Sequence, residues 1–400
     1  MTLILLTLLV GCPGDGDEMA EYWADEVGGP ARLMDPEMAG SFERGREVME
    51  RAFAPSTGLG PTFNADSCGS CHQAPVAGGS GPRYRDFFLV YSERFDGTLE
   101  AQGTNGTSPV RNLYANAPSF HIAEPDDTVV YARRNAPSGL GVGLFAFVSD
   151  EQILSREDIL DEDGDGISGR ANFEGRRVGR FGYKSQAATL ESFNRGAMMN
   201  QMGVTSDPLF YEIPGAPDPF AQVQQPAVLD WLMPTAFAQV GATGQPTVDN
   251  DGVADPEMSN QDQQDLLVFS TFVAPPPPSP LDETSRLGEV LFGSVGCESC
   301  HLPSIPSTVG ELPAYTDLLL HDMGPELDDQ VNMGLATGNE WRTAPLWAVS
   351  LHGPYLHDGR AETVEHAILW HDGEARAAAD EYRLLPANER EALLRFLNSL

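Results

Sequence analysis

Apolar positions recur at helical spacing in five stretches of the chain. In Ser41–Ala54, Phe42, Val48, Met49 and Phe53 stand among charged residues, which predicts an amphipathic helix. Ser185–Met202 carries Ala188, Phe193, Ala197 and Met198 on a similar stripe, and its Met198, Met199 and Met202 read as core. Asn260–Val273 is a third helix, stopped by Pro275–Pro278, which cannot continue it. Thr284–Phe292 and Asn388–Leu400 complete the set, the last with Leu393, Leu394, Phe396 and Leu397 on one face. Strands are expected over Phe87–Ser92 and Val129–Ala132, and no strand pattern stands out beyond residue 281. The pattern predicts a mainly α protein.

Two short motifs give these elements a chemistry. Cys68-Gly69-Ser70-Cys71-His72 and Cys297-Glu298-Ser299-Cys300-His301 share the Cys-x-x-Cys-His spacing of covalent c-type haem attachment. Thiols three residues apart sit on about one helical turn and can each form a thioether with a haem vinyl group. The adjoining imidazole then turns under the iron. A zinc ribbon would bring its second Cys pair within about 15–20 residues, far closer than these two motifs lie. A dithiol oxidoreductase has no need of a His after both pairs. The expected cofactors are two covalently bound haem c groups, with His72 and His301 as iron ligands, one in each of two cytochrome c-like domains.

The chain has five cysteines, so only Cys12 lies outside the motifs and no structural disulfide is expected. Cys12 follows the apolar run Leu3–Val10, too short to span a bilayer. This arrangement suits a bacterial lipoprotein signal with Cys12 as the lipidated residue, although no Lys or Arg precedes the run; ordinary signal cleavage is the alternative. Covalent haem attachment also implies an extracytoplasmic compartment, so a periplasmic or cell-envelope location is expected, with membrane contact only through the N-terminal lipid. The expected organisation is a signal at 1–12, an acidic tether at 13–32, a first haem domain at 33–150 and a loop-rich middle region at 151–273. A Pro-rich linker at 274–280 and a second haem domain at 281–400 follow. The 41 Gly and 31 Pro suit loops wrapped around prosthetic groups. A net charge of −35 disfavours nucleic acid and suits either a basic electron-transfer partner, such as a cytochrome c or cupredoxin, or simple solubility.

In the middle region, Asp161-Glu162-Asp163-Gly164-Asp165-Gly166-Ile167 alternates carboxylates as the first half of an EF-hand loop does. Calcium held by Asp161, Asp163, Asp165 and the Ile167 carbonyl is one reading. An unliganded acidic turn is the other, because Asn172 stands where a full EF-hand has Glu. Asp249-Asn250-Asp251-Gly252 reads as a turn.

Sixth ligands can be counted. After His72 the next His is His121, with none again until His301, and no Met lies between Met49 and Met198. The first haem domain can therefore supply its own sixth ligand only through His121, unless a residue such as Lys184 reaches in. The C-terminal domain offers Met323, Met333, His352, His357, His366 and His371.

From about residue 40 onward the chain resembles the bacterial di-haem oxidoreductases, often labelled thiol oxidoreductases, a branch of the di-haem cytochrome c peroxidase and MauG superfamily. Gly58–Asn64, Asp161–Arg170, Gly179–Gly182, His321-Asp-Met-Gly-Pro325, Arg342-Thr-Ala-Pro-Leu-Trp347 and Tyr355–Arg360 carry the resemblance. It implies a peroxidase-like enzyme in which electrons enter at the C-terminal haem and reach a reactive N-terminal haem. It also implies His371 as the second ligand of the C-terminal haem, with Met323 and His357 as competitors. His357 and Arg360 would otherwise support haem propionates or the contact between haems. Trp347 or Trp370 would bridge the two haems. Where the family pattern leads to a Glu, this chain has Ala146, so acid–base work falls to His121, Glu124 or Asp126. The alternatives are MauG-like oxidation of a protein side chain, a non-enzymatic electron carrier, and a haem-bearing scaffold. The thiol label finds no support, since no cysteine remains to act.

Overall fold

A computed structural model describes residues 18–83, 85–93, 99–102, 108–116, 129–211, 213–217, 245–249 and 251–400. Four helices organise it. Helix α1 spans Ala39–Glu50 and α2 spans Asn260–Phe272, where the Ser259 side chain caps the first turn by accepting from Asp262 N. Helix α3, Glu283–Ser294, begins with a reciprocal cap between Asp282 and Ser285, and α4 covers Ala387–Leu397.

These helices form two crossings of the same design. At Gly45 of α1, an added Cβ would lie 2.0 Å from Asp265 O and 2.6 Å from Phe269 Cβ of α2. At Gly288 of α3, it would lie 2.0 Å from Ala392 O and 2.8 Å from Phe396 Cβ of α4. Glycine is needed at both places because the helix backbones touch there. The partner helices share a pattern, Asp265-Leu266-Leu267-Val268-Phe269 and Ala392-Leu393-Leu394-Arg395-Phe396. Helix α2 therefore pairs with α1, and residues 151–259 form a long excursion inside the first unit rather than a region that follows it.

Two further expectations need correction. The acidic stretch up to residue 32 is not a free tether over its described part, because Tyr22, Trp23, Ala24 and Ala31 are buried in the main core. Its backbone pairs with the end of α2 and the segment beyond, through Ala31 N to Phe272 O (2.8 Å), Gly28 N to Ala274 O (3.1 Å) and Ala24 N to Pro275 O (2.9 Å). The start of the Pro-rich segment is thus docked against the body rather than slung between domains. The apolar side chains in these two stretches bury despite the acidic and Pro-rich context around them.

The fold also holds more strand than expected. Asp86–Glu93 pairs with Val129–Asn135 along seven residues and, antiparallel, with the short strands Leu99–Ala101 and Val110–Arg111. Beyond residue 281, Ile305–Ser307 pairs with Gly310–Leu312, and Leu320–Asp322 with Glu340–Arg342. Strands of three residues are too short to show an alternation, which is why the sequence pattern misses them. The helix expected over Ser185–Met202 starts only at Leu190, capped by Thr189, and widens into a π-helical turn over Met198–Met202. The three methionines are buried there. Helices nevertheless carry both crossings. Among the described residues, no helix is long and apolar enough to cross a membrane.

Candidate functional site

Both Cys-x-x-Cys-His motifs open onto one internal cavity of about 620 Å³. At the C-terminal motif, α3 ends and Gly296, in a left-handed conformation, turns the chain into Cys297–Ser299. His301 Nδ1 donates to Tyr315 O at 2.9 Å. That bond places the ring proton on Nδ1 and leaves the Nε2 lone pair free for a metal. His371, just beyond the helix Val364–Leu369, repeats the arrangement with Nδ1 donating to Ala367 O at 2.7 Å. The two ring centroids stand 6.4 Å apart. Metal–imidazole bonds of about 2.0–2.1 Å would place two opposed rings roughly 6 Å apart with an ion between them, so the pair has the spacing an iron needs. Burial keeps both imidazoles neutral, lowering His301 to about 4 and His371 below its ordinary value.

The N-terminal motif is built the same way on its cysteine side. Ser67 caps the turn Cys68–Ser70, His72 N bonds Cys68 O at 3.0 Å, and His72 Nδ1 donates to Gly79 O at 3.0 Å. Burial again lowers the His72 pKa. The opposite side differs: no second imidazole among the described residues is in ring contact with His72. His121, Glu124 and Asp126, the residues expected to act there, lie outside the described residues, as does Cys12.

The thiols argue against a redox dithiol. Burial pushes Cys68 up to about 11 and Cys297 up to about 12, whereas a reactive dithiol needs a lowered pKa. Two half-buried thiol pairs, imidazoles whose Nδ1 is tied to a backbone carbonyl, and a shared cavity make a donor set that fits two haems.

The remaining candidates divide by whether they reach the cavity. Met323, His352, His357 and Trp347 line it. His357 stacks on Trp341 at 3.8 Å with the rings nearly parallel, and burial, helped by nearby Arg134, Arg360 and Lys184, lowers it to about 2. Arg360 is not on the wall. It is held by Asp358 Oδ2 at 2.7 Å and lies over the Trp370 ring, so its charge is already engaged and the propionate role does not suit it. Trp370 and Ala146 are likewise absent from the wall. Lys184 is no ligand either, since its ammonium donates to the carbonyls of Thr337 (2.5 Å), Gly338 (2.9 Å) and Glu340 (3.1 Å).

Sequence reasoning gave no role to two groups on the wall. His321, 4% exposed, is clamped between Asp317 Oδ2 and Glu374 Oε2, both at 2.8 Å. Burial opposes its charge, but those carboxylates and Cys300 raise its pKa to about 12, so it stays an imidazolium. Arg342 is the other. The family stretches containing His321 and Arg342 held the only signal for either.

The acidic loop gathers differently from expectation. Carboxylate oxygens of Asp158, Asp161 and Asp163 come together, and Asp165 is not in the group. Asp165 Oδ1 accepts from Ile167 N at 2.8 Å, and both residues line the cavity instead. Asp249, Asp251 and Glu257 form a second carboxylate group, where a plain turn was expected.

A family described as "Di-haem oxidoreductase, putative peroxidase" matches residues 122–400, more than two thirds of the chain. No curated protein matches. Among solved structures, hydrazine synthase of Kuenenia stuttgartiensis is similar at 21% identity and TM-score 0.28, covering 36% of this chain and 56% of its own. A MauG-like protein associated with microbial copper homeostasis is similar at 23% identity and TM-score 0.27, covering 35% and 56%. The chain thus spans little more than half of either.

Proposed function

Because the chain belongs to the di-haem oxidoreductase family, we propose that it is an extracytoplasmic, peroxidase-like di-haem c-type enzyme with two unequal sites. Haems held at the two motifs would supply the redox chemistry, the C-terminal residues shaping a site for electron entry and the N-terminal residues one for peroxide. Cys68 and Cys71 hold one haem by thioethers, Cys297 and Cys300 the other. His72 and His301 are the proximal ligands, and His371 closes the C-terminal site from the opposite side. The observation that carries the reading is this inequality around one cavity: His301 faces His371 at 6.4 Å, and His72 has no such partner among the described residues. A closed site suits electron transfer and an open one suits substrate.

His121 is then the N-terminal group that either blocks the open position displaceably or works beside Glu124 and Asp126 in proton transfer. The acidic loop is the calcium candidate, with Asp158, Asp161 and Asp163 as its oxygen donors. Cys12 is the lipid attachment point in a periplasmic or cell-envelope lipoprotein. Electrons come from a basic cytochrome c or cupredoxin drawn to the acidic surface.

The test is spectroscopic. Denatured protein matured in a haem-attaching host should retain two haems by mass. Reduced native protein should bind carbon monoxide at one haem, and His72→Ala should abolish that site. Two low-spin haems that refuse both carbon monoxide and peroxide would replace the enzyme with an electron carrier.

A further inference from the structure

Among the described residues, Arg342 is the one Arg or Lys on the cavity wall. It forms no ion pair with a described carboxylate. Its Nε donates to Gly182 O at 3.1 Å, its backbone N donates to Tyr183 O at 2.8 Å, and Asp317 is already committed to His321. Burial pulls the guanidinium down to about 10, still charged at neutral pH. A cation on a largely apolar wall without a counter-charge costs free energy unless something anionic enters the cavity.

Trp347 makes the same point with a neutral donor. The residue is 3% exposed and lines the cavity, and its indole Nε1 is buried with no hydrogen-bond partner among the described residues. Buried indole N–H groups ordinarily find an acceptor. Both residues pack on one ring: Trp347 stacks on Phe145 at 5.5 Å, and the Arg342 guanidinium carbon lies 5.6 Å from the same ring centroid. The wall therefore carries a cation and an N–H with no acceptor among the described residues, on two side chains that both pack on the buried Phe145.

We propose that Arg342 and the indole N–H of Trp347 together anchor a carboxylate of a haem bound in this cavity, an assignment that rests on the two-haem reading. The guanidinium supplies charge-assisted hydrogen bonds and the indole a neutral one. The consequence is electronic. A carboxylate neutralised by Arg342 leaves the nearby iron easier to reduce than a bare carboxylate would.

The experiment measures haem content, midpoint potentials and the resonance Raman propionate bands of the holoprotein and three variants. Arg342→Gln should lower one of the two midpoint potentials and leave the other in place. It should also make the shifted potential fall with rising pH through the neutral range, as the unpaired carboxylate ionises, where the wild type is flat. Arg342→Lys should restore most of that potential, and Trp347→Phe should cause a smaller shift of the same sign. If Arg342→Gln fails to take up haem, Trp347→Phe and Arg342→Lys decide, since the first keeps the charge and an aromatic ring and the second keeps the charge. Unshifted potentials and propionate bands in every variant that carries two haems would overturn the anchor. Wild-type protein without covalent haem would instead overturn the reading beneath it.

Discussion

The two Cys-x-x-Cys-His units are alike where the polypeptide packs on itself and, among the described residues, unlike where a second imidazole stands against the motif His. Each has a helix crossing closed at a glycine, Gly45 of α1 against α2 and Gly288 of α3 against α4. Each has a motif His whose Nδ1 is tied to a backbone carbonyl. Among the described residues the C-terminal unit sets His371 against its motif His, whereas the N-terminal unit is interrupted by residues 151–259, whose acidic loop leads into Ser168 and Arg170, bonded to Glu374 and Glu340 of the C-terminal unit. One scaffold used twice can thus serve different ends, because the crossing fixes the cysteine side and leaves the opposite side to other segments.

The largest expected effect comes from erasing that difference. His371→Ala should convert the C-terminal haem from low-spin to high-spin, and the reduced protein should then bind two equivalents of carbon monoxide instead of one. A spectrum that stays low-spin would transfer the ligand role to Met323 or His357, the other candidates on that wall.

The next test asks whether the crossings are equivalent. Gly45→Ala and Gly288→Ala each force a Cβ to within 2.0 Å of a carbonyl oxygen, so the helices must separate. Overpacking of this kind costs about 1–3 kcal/mol, occasionally more, and contact with backbone rather than with a flexible side chain places both at the upper end. Denaturant melts should show similar losses, each with spectral change at its own haem first. A silent Gly288→Ala would mean that α3 and α4 do not pack as closely as α1 and α2.

These crossings also show what was legible in the sequence. The haem motifs and five helical stretches could be read locally, since spacing carries the signal. The repeated pattern ending in Phe269 and Phe396 was equally visible, and it would have paired α2 with α1 despite the long separation. Tyr22 and Trp23 were hidden by acidic neighbours, although the aromatic pair itself pointed to burial. Arg342 and His321 were not legible as site residues, because their roles follow from which partners they have or lack across the fold.

A smaller effect separates the crossings by polarity. Asp265, 1% exposed, accepts from Arg44 Nε and Nη2, both at 2.8 Å, and from Ser41, whereas the matching position in α4 is Ala392. Hydrogen bonds to charged groups contribute about 1.5–3 kcal/mol, and the Arg44 side chain is half-exposed, so Asp265→Ala should cost about 2 kcal/mol. Burial opposes ionisation of Asp265, but Arg44, Ser41 and Gln261 together hold its carboxyl below the usual range. A depressed folded pKa gives stability that is present above the unfolded value of about 3.9 and lost as pH falls through the folded one. The gap between wild type and Asp265→Ala should therefore be constant near neutral pH and close below about pH 4. A gap that persists into strong acid would mean that packing, not charge, carries the contribution.

The smallest effect concerns the excursion that only the N-terminal unit has. Asp158, Asp161 and Asp163 bring carboxylate oxygens together on a loop whose next residues, Asp165 and Ile167, line the cavity. A calcium ion there would neutralise converging negative charge and fix the wall beside it. An ion that binds only the folded state, at about ten times its dissociation constant, stabilises by about 1.4 kcal/mol. Because the loop is partly exposed and local, the shift on chelation should be a few degrees, about 2–4 °C per kcal/mol in a domain of this size. Chelation should lower the melting temperature and calcium restore it, and Asp163→Asn should abolish the response. The loop runs on into Ser168, whose hydroxyl donates to Glu374 Oε1 at 2.8 Å beside the C-terminal site, so the spectrum of that site should follow the response. Equal melting curves with and without chelator, in wild type and Asp163→Asn alike, would leave the loop an acidic turn and remove calcium from what distinguishes the two units.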